Sequence, residues 1–156
     1  MIRKLVPICL LMVILAACSK DKYQTKPTIR IKDQSRVVPF DSEAIFYINL
    51  EFTDKEGDLS SDKDSAIYYK PIMLNTRSVI GGSEYPEAYA AFPDFPDKTK
   101  GEIEIRMEQV FFYRQIQNNQ GGNDANDTLI FKIAITDRAG NTSDTLTSEP
   151  IILLGQ

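Results

Sequence analysis

From Thr28 onward, apolar and polar residues alternate with period two, the pattern of a strand that buries one face and wets the other. Residues 28–33 (TIRIKD) form the first such run. Residues 43–53 (EAIFYINLEFT) set Phe46, Ile48, Leu50 and Phe52 on one face, with Tyr47, Asn49 and Glu51 on the other. Residues 65–74 (SAIYYKPIML) read as a third strand, in which Pro71 lacks an amide hydrogen and needs an edge or a bulge. Residues 102–107 (EIEIRM) turn Ile103, Ile105 and Met107 inward, and residues 128–136 (TLIFKIAIT) do the same with Leu129, Phe131, Ile133 and Ile135. Residues 145–154 (TLTSEPIILL) supply a last strand. Residues 108–117 (EQVFFYRQIQ) fit two patterns. Ile103, Met107, Val110 and Arg114 make a helical stripe, while the aromatic and β-branched content favours a strand.

Six or seven short strands, separated by turn-rich stretches such as DKEGD, NNQGGNDAND and DRAGN, predict an all-β fold: an antiparallel two-sheet sandwich of about seven strands. Paired cysteines and a buried tryptophan mark an immunoglobulin domain proper; both hallmarks are absent from this stretch, so strand number and spacing carry the assignment. No internal repeat or second domain interrupts residues 27–156.

The pattern differs at the N-terminus. Arg3 and Lys4 precede a thirteen-residue apolar run, Leu5 to Ala17, that ends on small residues and Cys18. This is an export signal, too short for a helix across about 30 Å of hydrocarbon. Leu15-Ala16-Ala17-Cys18 resembles the bacterial lipobox, which implies cleavage after residue 17 and diacylglycerol on the Cys18 sulfur. Each buried methylene contributes about 0.8 kcal/mol, so two or three acyl chains hold such a protein at a membrane. The expected organisation is a signal peptide at 1–17, a lipidated tether at 18–26 and a sandwich at 27–156, with the protein on the outer membrane of a bacterial envelope. Cys9 leaves with the signal, so the mature chain has no disulfide and depends on its core.

A second resemblance lies at the C-terminus. Residues 131–153 (FKIAITDRAGNTSDTLTSEPIIL) resemble the last hairpin of bacterial Ig-like or fibronectin type III-like domains. With the lipobox and DKEGDL, the chain is similar to small lipoproteins of Bacteroidota, which implies location and fold but no reaction.

Charge narrows the partners. Loss of Arg3 and Lys4 leaves 16 of the 18 basic side chains against 22 acidic ones, a net charge of −6. No basic cluster offers the phosphate contacts that nucleic acid requires, and nucleic acid is excluded as a partner. The chain contains no histidine, the usual neutral-pH base and zinc ligand, and the mature chain has no free thiol. A non-catalytic binding or structural module is expected, with the membrane as one partner and a protein of an envelope complex as another. The alternative is a stand-alone carbohydrate- or peptide-binding lipoprotein that uses residues 83–97, where Tyr85, Tyr89, Phe92 and Phe95 alternate with prolines. Equally, those rings are of the kind that cover a sheet edge.

One loop is rich in metal ligands. Asp54, Glu56, Asp58, Asp62 and Asp64 fall within eleven positions around Gly57. Calcium takes six to eight oxygens, but an EF-hand is excluded: counting from Asp54, Leu59 stands where glycine is needed and Ser65 where glutamate is needed. In an Ig-like topology the loops after the second and sixth strands share one end, which would bring Asp137 and Asn141 to Asp54 and Asp58, beside the N-terminus of the domain. The competing reading is a set of solvated Asx turns. Asp64-Ser65-Ala66, Asp127-Thr128-Leu129 and Asp144-Thr145-Leu146 match the O-glycosylation tripeptide of Bacteroidota, with glycan implied on Ser65, Thr128 and Thr145.

Overall fold

The computed structural model describes residues 25–41, 43–59, 66–75, 87–108 and 125–155. Cys18, Asp62, Asp64, Ser65, Tyr85 and the ambiguous stretch 109–117 lie outside them. Among the described residues all regular structure is strand: β1 (Thr28–Gln34), β2 (Val37–Val38), β3 (Ile45–Thr53), β4 (Ile67–Met73), β5 (Ala88–Ala90), β6 (Lys100–Glu108), β7 (Asp127–Ile135), β8 (Leu146–Thr147) and β9 (Ile151–Leu153).

These strands form two sheets, ordered β1-β3-β6 and β2-β9-β7-β4-β5, with β8 joined to β7. Lettered as an Ig-like sandwich, the first is A-B-E and the second A′-G-F-C-C′, the class expected from the alternation. All pairings are antiparallel except β2 with β9. The parallel pair arises because the first strand changes sheets: β1 pairs with β3 through Gln34, and after Ser35-Arg36 the chain runs along β9.

The inward residues are those the alternation selected. Phe46, Ile48, Leu50 and Phe52 of β3 face Leu129, Phe131, Ile133 and Ile135 of β7, with Ile103 and Met107 of β6 and Ile151 and Leu153 of β9 beside them, all buried. Phe46 and Phe131 meet across the sheets with ring centroids 6.1 Å apart. Burying each such side chain contributes about 1.5–3 kcal/mol. Gly101 sits opposite Phe52 in the β3–β6 ladder, and a Cβ there would stand 2.9 Å from the Phe52 ring. Glycine at that position is therefore a packing requirement.

Pro71 sits in β4 with its amide position turned away from the β7 ladder. Leu74 donates to Thr128, so alternate amides of β4 point at β7 and that of residue 71 points away. Among the described residues β5 pairs on that side with Ile67, Tyr68 and Tyr69, so the missing hydrogen of Pro71 breaks none of the described ladder bonds.

The last strand departs from expectation. Residues 145–154 divide into β8 and β9, separated by Ser148, Glu149 and Pro150. Ser148 takes over the ladder there: its amide donates to the Phe131 carbonyl and its Oγ accepts from the Phe131 amide, at 2.9 and 2.8 Å. Ser143 repeats the device on Ile135. Each hydroxyl then donates to the next carbonyl, of Asp144 or Glu149.

Candidate functional site

β3 ends at Thr53, and the next residue begins the acidic loop. Asp54 donates its amide to the Thr99 carbonyl at 2.8 Å, and Lys98 donates to the Gly57 carbonyl at 3.2 Å. The loop is thus held against the segment that enters β6. Gly57 turns it with a φ of 72°, a region in which a Cβ is strained. Leu59, wholly buried, drives the far end of the loop into the core. The leucine that spoils the EF-hand spacing is a packing anchor.

The β7 exit meets this loop. Arg138 donates its amide to the Asp58 carbonyl at 3.1 Å, and its guanidinium lies 3.5 Å from Asp97. Asp137 and Asn141 close a turn on themselves: the Asn141 amide and Nδ2 donate to the two Asp137 carboxylate oxygens at 2.7 and 2.8 Å. Asp54, Glu56, Asp58 and Asp137 then each place a carboxylate oxygen so that all lie within 4.8 Å of one another. The acidic loop and the β7 exit share one end, as the topology predicted, and Asp137 joins the cluster. Asn141 supports Asp137 through its amide group.

The electrostatics of this end are unfavourable by themselves. Asp54 is 1% exposed and Asp137 0% exposed. The Asp54 Oδ2 accepts from the Asp58 amide at 3.0 Å. Its Oδ1, and Oδ1 of Asp58, are buried and receive no hydrogen bond. Burial pushes the Asp54 carboxyl above its ordinary pKa, and the Asp58 and Asp137 charges push it further, against amide hydrogen bonds from residues 56 and 58. Glu56 is raised as well, by desolvation first and then by the Asp58, Asp137 and Asp54 charges. Buried carboxylates without a cation or full hydrogen bonding are costly.

The domain's N-terminus lies here too. Thr28 pairs with Thr53, one residue from Asp54, and Lys26 forms an ion pair with Asp144 of the loop after β7. The tether expected at 18–26 therefore leads to the acidic end.

The aromatic stretch has a different disposition. Phe92 is buried in the core, and Phe95 stacks on Phe52 at 6.0 Å with the Lys98 ammonium 4.8 Å above its ring. These two rings close the sandwich between β5 and β6, so they form no exposed platform. Tyr89 is 55% exposed and pairs with Tyr68 on the outer face of the larger sheet. Alternation brings Tyr68, Ile72, Ile130 and Ile152 to that outer face, together with Val37 and, directly opposed in the β4–β7 ladder, Lys70 and Lys132. Sequence reasoning missed this face because its strands are neighbours only after folding. Thr128 and Thr145 stand at the starts of β7 and β8, half-buried and exposed respectively.

No protein-family model matches the chain, and no curated protein matches it.

Proposed function

We propose that the protein is a lipid-anchored, non-catalytic module of a bacterial cell envelope, whose sandwich binds a protein partner in a larger assembly. The observation that carries the binding role is the outer face of the larger sheet. Val37 and Tyr89 are more than half exposed, and Ile152 joins them on one side of five adjoining strands. Lys70 and Lys132 face each other there, an arrangement that like charges disfavour and an acidic partner would relieve. Aromatic and aliphatic positions around a small charged centre fit a protein interface. Anchoring rests on Leu15-Ala16-Ala17-Cys18. The short tether would attach the sandwich by its acidic end and leave the outer face accessible.

The test joins the two parts. Metabolic labelling with an alkyne fatty acid is expected to mark the wild type, and Cys18→Ala is expected to lose both label and membrane fractionation. A photo-crosslinking residue at position 89 is expected to yield a discrete adduct in membranes, whereas one at position 30, on the other sheet, yields none. Equal yields at both positions would remove the outer face from the proposal, and a Cys18→Ala chain that stays membrane-bound would remove the anchor.

A further inference from the structure

We propose that Asp54, Glu56, Asp58 and Asp137 form a calcium site that fastens the loop after β3 to the loop after β7. It goes beyond the anchoring and partner-binding roles and depends on neither.

Three features carry it. First, the four ligand atoms converge from two loops far apart in sequence, within 4.8 Å of one another. Oxygens on opposite sides of a calcium ion at about 2.3–2.6 Å stand roughly 4.6–5.2 Å apart, so the spread of the set is no wider than one calcium shell. Second, Asp54 is almost wholly buried, yet its Oδ1 has no donor, and the same holds for Oδ1 of Asp58. A buried carboxylate oxygen left without a donor is unfavourable, and a cation supplies what it lacks. Third, the carboxylates are held in place by other groups. The Asp58 amide fixes Asp54, and Asn141 fixes both oxygens of Asp137, each of which keeps a second lone pair for metal.

The donor set selects the ion. Four carboxylates with no nitrogen or sulfur ligand suit a hard cation. Magnesium keeps most of its waters and takes one or two carboxylates, whereas calcium accepts many, in one- or two-oxygen modes. Glu56, exposed at the rim, is the ligand able to swing between those modes. Water completes the shell.

Calorimetric titration of the EDTA-stripped full chain in detergent with calcium chloride tests this, alongside thermal unfolding. One saturable site per chain is expected, with binding at least tenfold weaker for magnesium. A hundredfold excess of calcium over Kd is expected to raise the melting temperature by about 5 °C or more. Asp54→Asn and Asp58→Asn are expected to weaken binding at least tenfold each, while Asp144→Asn, at the same end but outside the cluster, leaves it unchanged. Should Asp54→Asn fail to fold, the half-exposed Asp58 gives the same reading. Absence of binding at millimolar calcium, equal affinity for magnesium, or equal loss in Asp144→Asn would each overturn the assignment.

Discussion

At the residue scale, the acidic loop shows one side chain serving two constraints. Leu59 is a core residue, and the chain between it and Asp54 has only four positions in which to present Glu56 and Asp58. Leu59→Ala is expected to destabilise the domain by about 2–5 kcal/mol in a denaturant titration and to weaken calcium binding with it. Gly57→Ala adds a Cβ at a φ of 72° and 3.4 Å from the Lys98 backbone, with an expected loss of about 1–2 kcal/mol. Protonation acts on the same loop. A carboxyl whose folded pKa lies above its unfolded value opposes folding when ionised. Its penalty is full above the folded value and vanishes below the unfolded one. Asp54 and Glu56 are both raised. Around them lie Asp58, Asp137, Lys55, Lys98 and the Arg138–Asp97 pair. Metal-stripped protein is therefore expected to gain stability as pH falls from neutral toward about 4, where ordinary carboxylates titrate. Thermal melts at stepped pH check this, and the gain is expected to shrink in Asp54→Asn. A gain of equal size in that variant would assign the effect to other groups.

At the element scale, the strands are legible where alternation is long. β3, β6 and β7 match the predicted runs to within two residues at either end, because each buries one face against the other sheet and wets the opposite one. β2 and β5, two and three residues long, are too short to carry a period. They are set by what they lie beside. The 145–154 run alternates well enough, but Pro150 and the serine bridges divide it. Ser148→Ala and Ser143→Ala remove the acceptors for the buried Phe131 and Ile135 amides, and each is expected to cost about 1–3 kcal/mol. Equilibrium denaturation of the two single variants measures it. Gln34, which exchanges hydrogen bonds with both backbone groups of Glu149 where the first strand changes sheets, plays a comparable part between β1 and the approach to β9.

At the scale of the whole molecule, stability is expected to be graded from the middle strands outward. Hydrogen exchange monitored by mass spectrometry is expected to be slowest in β3 and β7, which are paired on both sides, and fastest in β2 and β5 at the sheet edges. Slow exchange in β5 with fast exchange in β7 would contradict the sheet order. The sequence by itself determined the all-β class, the inward face of each long strand and the density of carboxylates after Thr53, since these follow from local period and composition. It also predicted which loops share an end, because Ig-like order implies it. Only the tertiary structure decided which carboxylates converge, that Asn141 braces Asp137, that Phe92 is a core ring with Phe95 packed against it, and that an apolar face with two opposed lysines covers the larger sheet. Those outcomes depend on contacts between residues distant in the chain. Local alternation says which way a side chain points but not what it meets.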